Sequence, residues 1–461
     1  MSTAAGLHRR KLALLWASQF INTAGLMMLV PIMPFYVQSL GVQGTAAVQT
    51  WSGAAIAAPA LALTVATPLW GRLGDRIGRH WMVVRALAGL ATAMVVMATA
   101  TNPIVLILGR LLQGGLGGVV EAAQAFASAA GPQGKRGSSL GKSFSATAAG
   151  SLTGPLLGGL LVGAGQLNAL MLTIAALAVL LAVACAAGLR EEPAIKHSTP
   201  ATTPTASDNG ASRIGFMHVP GAIPLAVAAV AVYLGVYGLI PVFAAHVQQT
   251  FANSQAELWV GVFHSLTWGA TLIASFWWGR HNDQAERPLR ALAWASAGCA
   301  VSIAAQALPV GTAGLIGLRL LQGACFAALA QSLFFHVSRH APPQRRSSYV
   351  GTANSFLLIG QSAGPLLAGP MAVVFPTPIS IALLGASCAV AGVCCLRASS
   401  AESAAVHNDE HTLTTDTLPR LPTSMSGTLD LPSEQTLPDL AYSADGAQSA
   451  STRPRSHSDR P

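Results

Sequence analysis

Trp70-Gly71-Arg72-Leu73-Gly74-Asp75 and Trp278-Gly279-Arg280-His281-Asn282-Asp283 are one piece of punctuation written twice, about 209 residues apart. At nearly the same shift Arg110-Leu111-Leu112-Gln113-Gly114 meets Arg319-Leu320-Leu321-Gln322-Gly323, and Lys135-Arg136 meets Arg345-Arg346. Gly150-x3-Gly154-Pro155 likewise meets Gly360-x3-Gly364-Pro365. Correspondences in one order at a nearly constant offset mark an internal repeat. The chain therefore reads as two equivalent halves, and the question becomes what each half is made of.

Only 9% of the 461 residues are charged, 52% are hydrophobic and the mean hydropathy is +0.51. Soluble domains carry about 25% charged residues, so this composition belongs in a bilayer. The apolar residues fall into twelve blocks, near 12–36, 46–70, 81–100, 103–127, 140–164, 167–189, 220–245, 257–279, 289–308, 311–335, 349–373 and 377–396. Each is close to the roughly 20 residues a helix needs to cross the hydrocarbon core. Arg9-Arg10-Lys11 precedes the first block, which is too long for a signal-peptide core and lacks a small-residue cleavage site, so it is expected to be a retained span. The fold class predicted is all-α integral membrane, twelve transmembrane helices in two six-helix repeats. Parallel repeats enclosing a midplane site are an architecture of secondary transporters.

The net charge of +9 does not indicate nucleic acid, because it is laid out by loop. Four basic and nine acidic residues lie from position 398 onward, leaving 22 basic and eight acidic for the membrane body. Arg72, Arg76 and Arg79 follow the second block, Lys135 and Arg136 the fourth, and Arg190, Lys196 and Arg213 the sixth. Arg280, Arg287 and Arg290 follow the eighth, Arg339, Arg345 and Arg346 the tenth, and Arg397 the twelfth. The loops between, Val37–Ala46, Thr101–Asn102 and Pro309–Gly314 among them, hold no Lys or Arg. The positive-inside rule then predicts a multi-pass protein of the cell (inner) membrane with both termini cytoplasmic. Four segments follow: an N-terminal bundle over 1–189, a Ser/Thr/Pro-rich cytoplasmic linker over 190–219, a C-terminal bundle over 220–397, and a polar tail over 398–461 expected to be disordered.

All six cysteines lie in apolar blocks without metal-ligand spacing, so no metal site, disulfide framework or cofactor is expected. With no Walker A sequence or nucleophile elbow either, the chain does not read as an enzyme, and an ion gradient is the expected energy source. A non-transporting sensor on the same scaffold, with the tail as output, is the reading from another class; motifs preserved in both halves argue against it.

Gly71-Arg72-Leu73-Gly74-Asp75-Arg76-Ile77-Gly78-Arg79-His80 fills the loop between the second and third spans. Its glycines permit a tight turn and its arginines suit the headgroup level, as in any positive-inside loop. The segment also resembles the G-x-L-a-D-r-x-G-r-k signature of the major facilitator superfamily, departing from it at His80. The resemblance implies a latch between the halves formed by Gly71, Asp75, Arg76, Gly78 and Arg79, with Asp283 as the repeat counterpart. Gly150-Ser151-Leu152-Thr153-Gly154-Pro155-Leu156-Leu157-Gly158-Gly159 matches the antiporter motif g-x-x-x-G-P-x-x-G-G of that superfamily's exporters. Ordinary small-residue packing explains its glycines, and the whole pattern implies export. Gly25-x5-Pro31-x-x-Pro34 and the run from Trp51-Ser52-Gly53 to Trp70-Gly71 look like the twelve-span drug:proton antiporters, in particular MdtG-type multidrug exporters.

Arg110 matches the basic residue of the family pattern l-x-x-x-R-x-x-q-G, which implies a part in proton transfer, although Leu116 stands where glycine is usual. A continuous fourth helix puts Gln113, Gly114, Gly117, Glu121 and Gln124 on one polar stripe with Arg110. Glu121 is the sole acidic residue well inside an apolar block, and two readings stand: a proton carrier, or an anchor reaching a headgroup-level cation such as Arg136. His264 is the other proton-coupling candidate, against a role in packing. Asn22, Gln113, Gln124, Gln331, Asn354 and Gln361 are candidate cavity residues; Asn22 stands where related exporters often carry an acid, which weakens acid-based recognition of cations. Trp268, Phe263, Tyr233 and Tyr237 are either an aromatic pocket or lipid-facing, the latter preferred for most. The expectation is thus a monomeric, proton-coupled antiporter exporting small drug-like organic molecules, with a dedicated exporter of one natural product such as a siderophore as the rival and nutrient uptake third.

Overall fold

The apolar blocks fold as helices because a backbone in lipid must satisfy its own N–H and C=O groups. The computed structural model describes residues 2–77, 79–119, 136–163, 165–189, 219, 221–250, 255–284, 288–342 and 346–416. In the first half they form α1 (Ser2–Ser39), α2 (Thr45–Ile77), α3 (Arg79–Ala98), α4 (Pro103–Gly115), α5 (Arg136–Gly163) and α6 (Leu167–Gly188). The second half comprises α7 (Ala222–Thr250), α8 (Ala256–Gln284), α9 (Pro288–Ala305), α10 (Gly311–His340), α11 (Arg346–Val374) and α12 (Thr377–Asp416). Ten of them are long and apolar enough to cross a membrane; α4 and α9 supply the two shorter apolar helices, Pro103–Gly115 and Leu289–Ala305. Met1–Asp409 forms one compact unit and Glu410–Pro461 another, whose described part is the last turns of α12.

Local chemistry sets the helix ends. The Asn102 side chain accepts from the backbone N–H groups of Ile104 (3.1 Å) and Val105 (3.0 Å), with Pro103 at the first helical position, where its missing N–H does no harm. The α1–α2 turn uses Gly41 (φ 88°) and Gly44 (φ 84°), a left-handed backbone that glycine adopts without strain. Trp294, 76% exposed, stands on the outer surface among many other large apolar side chains, where lipid is the compatible solvent.

Packing repeats as the sequence does. In the first half α1 lies on α5, α2 on α4, and α3 on α4 and α6; in the second α7 lies on α11, α8 on α10, and α9 on α10. Two seams, α2 with α11 and α5 with α8, join the halves. Trp70 Nε1 donates to the Gly115 carbonyl at 2.6 Å, and its counterpart Trp278 donates to the Ala324 carbonyl at 2.8 Å.

The seams are backbone against backbone. A Cβ on Gly159 of α5 would lie 2.6 Å from the Glu257 carbonyl oxygen and 3.1 Å from the Gly261 Cα, both on α8. Gly53 of α2 meets the Pro365 carbonyl of α11, and Gly369 meets Thr50. Among the described residues these contacts fall on the half of the bundle that holds the α1–α2 turn. There Gln38 of α1 and Gln248 of α7 exchange two amide hydrogen bonds, each 3.1 Å. Each is worth about 1 kcal/mol at most when exposed. Replacing both glutamines by Ala is expected to enlarge the separated population at this end a few-fold. Electron–electron distance measurements between spin labels at Thr45 and Thr250 read it directly, and an unchanged distribution shows that the clasp holds nothing.

Candidate functional site: a cavity between the halves

Midway along the helices a cavity of about 350 Å³ is lined from both halves. Leu26, Met27 and Val30 of α1 and Ile56 and Leu63 of α2 make an aliphatic wall; Tyr237, Trp268 and Phe326 face it from α7, α8 and α10. These three aromatics form one cluster, with Trp268 and Tyr237 set edge-on to Phe326 at 5.9 and 6.2 Å. The preference for lipid-facing aromatics is therefore corrected: Trp268 and Tyr237 line the cavity, Tyr233 stacks on Tyr237 at 5.4 Å, and Phe263 is fully buried. Apolar sequence context does not separate a lipid-facing helix side from one facing a cavity.

Two arginines, one per half, stand on the lining. Arg110 of α4 is 1% exposed; its Nε donates to the Ala55 carbonyl at 2.9 Å and its Nη1 to Gln113 Oε1 at 2.6 Å. Arg319 of α10 is 3% exposed; its Nη1 donates to Gln322 Oε1 at 3.2 Å, and its guanidinium carbon lies 3.4 Å from the centre of the Phe243 ring. Gln322 is held in turn by Gln306 Nε2, which donates to its Oε1 at 3.1 Å and to the Ser302 carbonyl at 2.9 Å. The same Arg-x-x-Gln-Gly run thus builds the same device twice. Its glycine admits a neighbouring helix: Gly114 meets the Pro59 carbonyl of α2, and Gly323 the Thr267 carbonyl of α8. Among the described residues neither guanidinium has a carboxylate partner, and none of those on the lining is Asp or Glu.

Other candidates separate clearly. Asn22, Gln113, His264 and Gln361 line the cavity, while Gln331 and the exposed Asn354 are not on it. The His264 ring borders the cavity beside Trp268, 6.4 Å between centres. Thr23, Thr147, Ser151, Thr267 and Gln322 also line it and were missed; the repeat partner of Gln113 was the available signal for Gln322. α4 ends at Gly115, and Gly118 takes a positive φ of 95°, so the expected continuous helical stripe is interrupted after Gly114, although Gly114 and Gly117 both reach the cavity. Gln113-Gly114-Gly115-Leu116-Gly117-Gly118 holds too many glycines to propagate a helix on propensity alone. Glu121 and Gln124 lie outside the described residues, as does Gly78. Gly71 and Asp75 fall in the last turns of α2, Arg76 beside them, Arg79 at the start of α3 and Asp283 near the end of α8; the placement of their side chains lies outside the description.

The span-five motif divides by face. Cβ atoms on Gly150 and Gly154 would lie 2.7 Å from the Phe20 carbonyl oxygen and 2.6 Å from that of Ala24, both on α1; Gly158 meets Met28 there, whereas Gly159 faces α8. Gly360 and Gly364 of α11 meet Val230 and Leu234 of α7 in the same manner, and Pro155 and Pro365 are both inside helices.

Two six-helix halves around a midplane cavity define a secondary transporter of the membrane rather than an enzyme. The family model of the Major Facilitator Superfamily matches residues 15–217 and 225–427, and the chain belongs to that superfamily. It is 37% identical to the Staphyloferrin B transporter of Staphylococcus aureus (strain NCTC 8325 / PS 47) over 376 residues, 80% of this chain and 88% of the relative. To the Multidrug resistance protein MdtG of Rahnella sp. (strain Y9602) it is 28% identical over 365 residues, 78% and 86% of the two chains. Among solved structures, the inward-facing, unoccupied bacterial homolog of the human lysosomal transporter Spinster superimposes with a TM-score of 0.66 at 16% identity, covering 86% of this chain and 96% of that one. The nucleoside transporter NupG gives 0.66 at 14% identity, covering 85% and 99%. The MdtG-type resemblance and the twelve-helix fold are borne out, and the siderophore alternative gains a relative of its own.

Proposed function

We propose that the protein is a proton-coupled antiporter that exports a small organic molecule by alternating access. The observation that carries this reading is the complete span-five motif, Gly150 to Gly159, seated at once on α1 and on α8. A helix packed on its own half by one face and on the other half by the next is placed to link cargo-site movement to opening. The structure corresponds to the cytoplasm-open state if both termini are cytoplasmic, since the described contacts between halves gather at the α1–α2 end. The Asp75 loop would latch the opposite state, and the chain would act as a monomer. Fusing a reporter after Arg397 tests the orientation: activity restricted to the outer side overturns it.

The second reading, a dedicated siderophore exporter, is favoured by the match to the staphyloferrin B transporter over most of both chains. Both readings share one energetic test in proteoliposomes with an imposed pH gradient. Wild-type protein is expected to accumulate cargo against its gradient, and Glu121→Gln to retain binding and equal-pH exchange but lose gradient-driven accumulation. Full gradient-driven flux in that variant removes Glu121 as carrier and leaves His264, which borders the cavity.

A further inference from the structure

We propose that the cavity selects an organic polyanion, a molecule bearing at least two carboxylates held by Arg110 from one half and Arg319 from the other. This deepens the export reading by naming the chemical class of its cargo.

The argument begins with charge. Both guanidinium groups are almost wholly buried and border one cavity, yet their hydrogen bonds go only to neutral acceptors, Ala55, Gln113 and Gln322. Arg319 Nε is buried with no acceptor. A guanidinium offers its donors in a planar fork, and the one or two bonds each makes leave most of that fork unused. A buried cation without a counterion costs several kcal/mol, and two facing one low-dielectric space raise each other's cost. The cavity therefore has a positive potential: an entering carboxylate relieves the cost at each arginine, while an organic cation adds to it.

The supports hold the arginines for this use. Gln113 and Gln322 accept through Oε1, which fixes the guanidinium without neutralising it. The Phe243 ring under Arg319 covers one face and leaves the donor edge available. Asn22 lies on the lining in place of an acid, and none of the described lining residues is Asp or Glu, so the described walls offer a cationic drug no opposite charge. The remaining walls, aliphatic on one side and aromatic on the other, suit a carbon body between the anionic ends. Because the arginines belong to different halves, a cargo that bridges them senses both and favours the arrangement in which the halves are close.

Fluorescence anisotropy of the purified full chain with two xanthene dyes of similar shape and opposite charge tests the assignment. Carboxyfluorescein is expected to bind and rhodamine 6G not to, and raised salt should weaken binding only modestly because the arginines are buried. Arg110→Gln and Arg319→Gln, each checked for a monodisperse, folded sample, are each expected to weaken carboxyfluorescein about tenfold or more, as loss of a charged hydrogen-bonding partner requires. Arg319→Lys should fall between, retaining charge without the fork. Preference of wild-type protein for rhodamine 6G, absence of carboxyfluorescein binding at millimolar concentration, or wild-type affinity in both glutamine variants overturns the proposal. The wild-type dye comparison decides even if the variants fail to fold. No gradient enters the measurement, so anion binding without driven flux faults the export reading alone, and driven flux of cations faults this one alone.

Discussion

Gly159→Val is expected to reduce transport by roughly fivefold or more while the protein still inserts and folds. A Cβ at this position meets the Glu257 carbonyl at 2.6 Å and the Gly261 Cα at 3.1 Å, and both are backbone of α8 that no rotamer change moves away. Overpacking of this kind costs about 1–3 kcal/mol. The contact exists only while the halves are together at the α1–α2 end, so the whole cost falls on one of the two states. That displaces the equilibrium by roughly five- to 150-fold, and a carrier that must visit both states slows accordingly. Gly154→Val supplies the contrast. It strikes the Ala24 carbonyl within the first half, a contact kept in both states if each half moves as a body, so it should lower the melting temperature more than it shifts the spin-label distances between Thr45 and Thr250. Normal flux and unchanged distances in Gly159→Val would remove α5–α8 from the gating seam.

Trp70→Phe is expected to destabilise the protein by about 1–3 kcal/mol, and Trp278→Phe by clearly less, although the two bonds look alike. The difference lies in the acceptors. Gly115 is the last residue of α4, so its carbonyl has no intrahelical donor and relies on Trp70 Nε1. Ala324 sits inside the unbroken α10, where the helix already supplies its carbonyl with a partner. Arg85 reinforces the first site, donating from Nη2 to the Gly117 carbonyl at 2.6 Å with its guanidinium 3.8 Å from the Trp70 ring centre. Thermal unfolding of the two variants in one detergent reads the comparison; equal losses would show that the end of α4 needs no external donor.

The repeat offset and the loop charges made the twelve helices legible before any coordinates, because both properties survive without knowing which side of a helix faces what. The site was legible only where a residue was odd for lipid or repeated across halves: Arg110, Gln113, Asn22, His264 and Gln361 reached the lining, and Arg319 was found as the echo of Arg110. Gln331 and Asn354 were chosen on polarity, and helix rotation put them elsewhere. Thr23, Thr147, Ser151 and Thr267 escaped because a hydroxyl can return its proton to its own helix, as Thr267 does to the Phe263 carbonyl at 3.0 Å, and so raises no alarm in an apolar run. The interruption after Gly115 was hidden by a hydropathy that stays high across it.

The glycine seam has one more consequence, for the speed of the cycle. Bringing two ordinary helix faces together freezes side chains, at about 0.5–2 kcal/mol for each large one, and that entropy must be lost and regained at every turnover. Gly159 against Gly261, and Gly53 against Pro365, have almost no rotamers to freeze. Closing this end therefore exchanges lipid or water contact mainly for van der Waals contact between backbones, with little ordering, and its two positions can stay near in free energy over a wide range of temperature.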